Sequence, residues 1–175
     1  MTQTLKTVQT IARVAKVIAI IAYVCSIIGA IGSAVGLAAL AVFDIFGVDI
    51  GAFTDLIVPA EQYYTQLLAL VYCIGEIIVT KVAISYLSSE LDVGTPFTLR
   101  GAADLRRVSV FAIVVPIAVS VVQGVLISLL SLVVENTGSA VPYETDIGLG
   151  IFLLILSVVF KCGTEMIKES PDVTA

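Results

Sequence analysis

The chain is expected to fold as an all-α polytopic membrane protein, a four-transmembrane-helix bundle made of two helical hairpins with a short interfacial helix before span three. Three observations lead there. The 175 residues are 59% hydrophobic and 13% charged, with a mean hydropathy of +1.11, whereas soluble domains carry about 25% charged residues. Four apolar runs, about 17–43, 62–87, 108–134 and 147–168, each reach the roughly 20 residues that cross about 30 Å of hydrocarbon. All nine lysines and arginines fall outside two long stretches, 17–80 and 108–160. Each of these has room for two crossings and a turn.

The runs leave little chain over, so a single four-span domain covering 1–175 is expected, without a separate soluble domain. Ala39-Leu40-Ala41 imitates a signal cleavage site. The run before it exceeds the about 7–15 residues of a signal core, so it reads as a retained first span. Gly29, Gly32 and Gly36 give this span a small-residue face, with a GxxxG at Gly32–Gly36. Such faces let helix backbones approach closely, within the bundle or between copies.

In the first outer loop, Asp44 to Pro59, acids alternate with Phe46, Ile50, Phe53, Leu56 and Ile57, as in a short helix lying in the interface. Its aspartates lack the ligand spacing of a calcium loop. Span two follows and holds Glu76, the acid deep inside a span. A charged side chain there costs several kcal/mol, so such residues invite a functional reading. Tyr72, Cys73 and Thr80 share its helical face, and Ser26, Ser120, Gln123 and Lys161 are candidate partners on other spans. The intramembrane polar site so outlined is either a proton- or cation-handling centre or a structural bond that fixes packing. The lack of a second acid or an aligned polar stripe favours packing.

Residues 88–104 are expected inside, and the cytoplasmic interaction loop is expected to comprise Thr95, Pro96, Phe97, Thr98, Arg100, Arg106 and Arg107. Threonine as N-cap and proline at the first helical position start a helix. That surface helix is expected over about 96–103, with a turn near Asp104 before span three, which Pro116 should kink. The second outer loop is turn-like, with Asn136, Gly138 and Pro142. Tyr63, Tyr64 and Tyr143 at outer boundaries, and Tyr86 at an inner one, read as interfacial anchors. Lys81 and Lys161 snorkel toward headgroups, and Lys161 can pair with Glu165 at i, i+4. Cys25, Cys73 and Cys162 fall inside spans and read as packing residues.

Basic residues flank the spans on one side only, and the outer loops carry only acids, so both termini should be cytoplasmic. The net charge of −5 thus hides a dipolar molecule. Its inner face can hold anionic headgroups at about 1 kcal/mol per Lys or Arg.

Gly94-Thr95-Pro96-Phe97-Thr98 followed by Leu105-Arg106-Arg107-Val108, with the tail Phe160-Lys161-Cys162-Gly163-Thr164-Glu165-Met166, Glu169 and Asp172-Val173-Thr174, resembles a family of small bacterial four-span membrane proteins. Members carry a G-x-P-F-T … L-R-R-I cytoplasmic loop and an F-x-x-G … E … D-x-T tail. Met166 stands where that family usually has leucine, and Ser170-Pro171 interrupts the tail. The resemblance implies a bacterial inner-membrane location and the same topology. The family is of unknown function, often encoded beside a small helix-turn-helix regulator.

No histidine, phosphate loop, GxSxG or HExxH is present. No catalytic residue, metal or cofactor is therefore expected, and no direct nucleic-acid contact. The reading is a non-catalytic integral membrane protein acting by binding, a regulatory or accessory subunit whose partners are the lipid bilayer, anionic headgroups and either another protein or a second copy. The alternative is a small oligomeric proton- or cation-linked transporter or channel using Glu76.

Overall fold

Four α-helices carry the chain: α1 Gln3–Phe46, α2 Pro59–Val93, α3 Leu99–Ser131 and α4 Gly148–Glu169. The structure, a computed structural model, describes residues 3–46, 59–93, 99–132 and 147–169, with side chains described within 9–42, 45–46, 62–92, 100–132 and 147–165. Among the described residues there is no strand. All four helices are long and apolar enough to cross a membrane, which makes the chain a multi-pass membrane protein. In lipid a spanning segment must satisfy its backbone internally, and a helix does so without neighbours.

Three helices outrun their hydrophobic segments. α1 starts at Gln3 rather than near 17, α2 runs to Val93 rather than 87, and α3 starts by Leu99 rather than 108. Hydropathy marks where hydrocarbon begins, and a hydrogen-bonded helix need not end there. The separate helix expected over 96–103, with its turn near Asp104, is corrected in its described part: α3 passes through Asp104 unbroken. Its first turns contain Ala102, Leu105, Val108 and Ala112, all buried on one face, and a bend would pull this stripe apart. Thr95, Pro96, Phe97 and Thr98 lie outside the described residues, as do residues 47–58 and 133–146, where the outer loops were expected, and the tail beyond 169.

α1, α2 and α3 are apolar all round, as spans are, whereas α4 is amphipathic. Large apolar side chains such as Ile18, Ile28, Val121 and Phe152 are mostly exposed, which lipid rather than water accommodates. Several serine and threonine hydroxyls in the helices bond back to their own backbone. Ser109 Oγ donates to the Arg106 carbonyl at 2.7 Å, Ser157 Oγ to Leu154 at 2.8 Å and Thr164 Oγ1 to Phe160 at 2.8 Å. These hydroxyls need not then meet apolar solvent unpaired.

The chain divides into two compact units. Unit 1 comprises Met1–Tyr23, Ile78–Val115 and Asp146–Ala175, and unit 2 comprises Val24–Ile77 and Pro116–Thr145. In unit 1 the α3 stripe Ala102–Leu105–Val108–Ser109–Ala112 is buried, together with Ser157 and Thr164 of α4. The α4 backbone comes close to α3 at Gly150: a Cβ there would lie 2.6 Å from Ile113 Cγ1 and 3.0 Å from the Ala112 carbonyl oxygen. That carbonyl is the one Pro116, inside α3, leaves without its i+4 N–H. A side chain at 150 would cover it.

In unit 2, Cys73 Sγ packs on Gly29, 2.9 Å from an added Cβ, and Gln66 packs on Gly36 at 3.1 Å. Seven residues forward on α1 are seven back on α2, so the two helices run antiparallel there. Gly32 faces open space. Tyr64, Leu68, Val119 and Gln123 form the buried centre of this unit, with Ser33 of α1.

Candidate functional site

Every lysine and arginine of the chain belongs to unit 1, and unit 2 contains seven acids and no base. Charge chemistry therefore concentrates in unit 1, where two clefts open on α3. Arg106 and Arg107 are neighbours in sequence and so point about 100° apart on the helix. Each faces a different cleft.

The first cleft, about 490 Å³, lies between α2 and α3. Lys81, Ser85 and Ser89 supply the α2 wall at successive helical turns, and Arg100, Asp104 and Arg107 supply the α3 wall. Among the described residues no carboxylate lies within ion-pair distance of Lys81, Arg100 or Arg107. The hydroxyls of Ser85 and Ser89 likewise make no bond to any described residue, whereas Ser88 Oγ donates to the Ile84 carbonyl at 2.8 Å. Tyr86 adds a phenol to the lining. One turn beyond it, Glu90 has a buried Oε2 without a partner among the described residues.

The second cleft, about 570 Å³, lies between α3 and α4. Ala102, Leu154 and Val158 make its apolar wall, and Arg106 and Lys161 its basic rim. Lys161 Nζ lies 3.8 Å from Glu165 Oε1, both well exposed. Lys161 is thus paired along its own helix in unit 1, while Glu76 belongs to unit 2.

The intramembrane polar residues meet different fates. Glu76 and Tyr72 are half-buried in unit 2 and each engages another group, as do half-buried Thr80 and exposed Ser120. Gln123 is fully buried, and its Nε2 donates to the Leu68 carbonyl of α2 at 3.2 Å. Its Oε1 is buried without a partner among the described residues, as is Tyr64 Oη. Tyr64, expected at the interface, is a core residue, because the α2 face that carries Leu68 carries it too. Cys73 packs on Gly29, and Cys25 and Cys162 are exposed. Among the described residues no group of three or more His, Cys, Asp or Glu side chains gathers as a metal site.

Sequence reasoning singled out the three arginines and Lys81 but missed Ser85, Ser89 and Asp104. The signal was there: 81, 85 and 89 recur every four residues, and 100, 104 and 107 lie at i, i+4 and i+7, so each set shares a helix face. Compared with protein-family models, curated proteins and solved structures, the chain matches none of them.

Proposed function

We propose that this chain is a non-catalytic integral membrane protein that acts by binding, as a regulatory or accessory subunit, through its basic end. In this reading the helices form two hairpins in a bacterial cytoplasmic membrane, with both termini and residues 88–104 inside. The first turns of α3 stand in for the interfacial helix at headgroup level. The positive-inside rule supports that orientation, since all nine basic residues fall in unit 1. The observation that carries the reading is the placement of Arg106 and Arg107 on two separate clefts, with Arg100 exposed beside them. Exposed cations fronting preformed clefts are the makings of a recognition surface, and they lie apart in sequence from Glu76.

The rival reading, a small oligomeric proton- or cation-linked transporter or channel, rests on Glu76. A conducting carboxylate needs water or a polar chain on both sides, whereas the hydroxyls of Ser128, Ser157 and Thr164 are tied to their own helices. Two measurements on the full chain separate the readings. In reconstituted vesicles the protein is expected to give no proton or cation flux. In native membranes, a photo-reactive residue at Ala103, on the second cleft, is expected to yield one discrete adduct that Arg106→Gln removes. Flux that disappears in folded Glu76→Gln would establish the transporter instead.

A further inference from the structure

We propose that the cleft between α2 and α3 is a binding site for a single phosphate group, held by Lys81, Arg100 and Arg107. The inference deepens the reading of the basic end as a binding surface and rests on it. Three cations line one cleft of about 490 Å³, a volume in the range of ligand pockets. Among the described residues Asp104 is the one carboxylate in the lining, with Glu90 beside it, so three cations outnumber two acids. Among the described residues none of the three cations has an ion-pair partner. Like charges gathered in excess of the nearby carboxylates repel one another, and an anion seated among them lowers that cost.

The chemistry selects phosphate. Two guanidinium groups offer planar, paired N–H donors that match phosphate oxygens, and the lysine adds a point charge. The hydroxyls of Ser85 and Ser89 stand one and two turns from Lys81 and are not spent on their own helix, unlike that of Ser88. They complete the donor set. The cleft occupies the last turns of one candidate span, Gln62–Asp92, and the first turns of the next, Arg100–Ser131. A phosphodiester of an anionic phospholipid reaches this depth, and so does a soluble phosphate entering from the aqueous side. Both present the same oxygens.

Native mass spectrometry of the full chain in detergent tests the lipid source with phosphatidylglycerol, and calorimetry with inorganic phosphate tests the soluble one. One phosphatidylglycerol is expected to be retained per chain. Arg107→Gln, and separately Lys81→Gln, should weaken it about tenfold or more, as loss of a charge-assisted contact does. Arg106→Gln removes the same charge one residue away, on the other cleft, and should change affinity less than about twofold. Phosphate binding with this same pattern of variants, and no retained lipid, would assign the site to a soluble phosphate. Equal weakening by Arg106→Gln and Arg107→Gln would mean diffuse attraction and overturn the site, as would the absence of saturable binding in both arms. Either overturning result leaves the flux and Ala103 adduct measurements unaffected, because those report on Glu76 and on the second cleft.

Discussion

Gln123 shows how much a single buried amide can decide. It is fully buried, one of its two amide ends is bonded, and the other has no partner among the described residues. Leaving a buried acceptor unsatisfied costs about 1–3 kcal/mol, more than the about 1 kcal/mol its one hydrogen bond contributes. Gln123→Leu, close in volume, should therefore leave stability unchanged or raise it by about 1 kcal/mol, read as thermal unfolding in detergent. Gln123→Glu should lower it by several kcal/mol at neutral pH, since an ionised carboxylate would sit against the Leu68 carbonyl. Marked loss in Gln123→Leu would mean that Oε1 holds a partner. The residue type was legible in the sequence as a polar group at mid-depth. Its partner was not, because a hydrogen bond to a backbone carbonyl leaves no complementary side chain to search for.

At the scale of helices, glycine positions that look alike in sequence differ sharply in what surrounds them. Gly150 faces backbone, so Gly150→Ala must displace α4 from α3 and should cost about 1–3 kcal/mol, as overpacking does. Gly29 and Gly36 face Cys73 Sγ and the Gln66 side-chain end, which can swing aside. Alanine at either should cost less than at 150. Gly32→Ala meets nothing within 4 Å and should stabilise α1 by up to about 1 kcal/mol through helix propensity. A ranking of melting temperatures across these four variants checks the order. The GxxxG in the first span drew attention to 29, 32 and 36 and passed over 150. Gly148-Leu149-Gly150 carries no helix-packing pattern, and the role of Gly150 depends on a carbonyl that a proline on another helix uncovers. The helix bodies were legible because hydrocarbon thickness imposes a run length. The water-facing turns of α1 and α3 were not, since helix continues there with no change that hydropathy registers.

For the molecule as a whole, the separation of charge is the firmest feature, and it was readable before any fold. Two basic-free stretches in the sequence become a base-free unit 2 and a unit 1 that holds all nine cations. The proposed orientation follows, and impermeant thiol labelling of intact cells tests it in a chain lacking Cys25, Cys73 and Cys162. A cysteine at Ser139 should label and one at Ala103 should not; the reverse pattern would invert the topology. The candidate site was half legible. The arginines stood out, but they were read as a loop, and the α2 wall that makes them one side of a cleft was hidden as a lysine that merely snorkels.

The length of α1 has a geometric consequence. Its 44 helical residues measure about 66 Å at 1.5 Å per residue, twice the hydrocarbon thickness. The portion before position 17 is a rod of roughly 21 Å. Helical periodicity sets positions 6, 13 and 16 within about 80° of arc on it, so the sequence groups its three basic positions on one side. Adding one residue to the rod would swing that group by about 100° while lifting it only about 1.5 Å. The azimuth of that group is thus far more sensitive than its height to a single inserted residue.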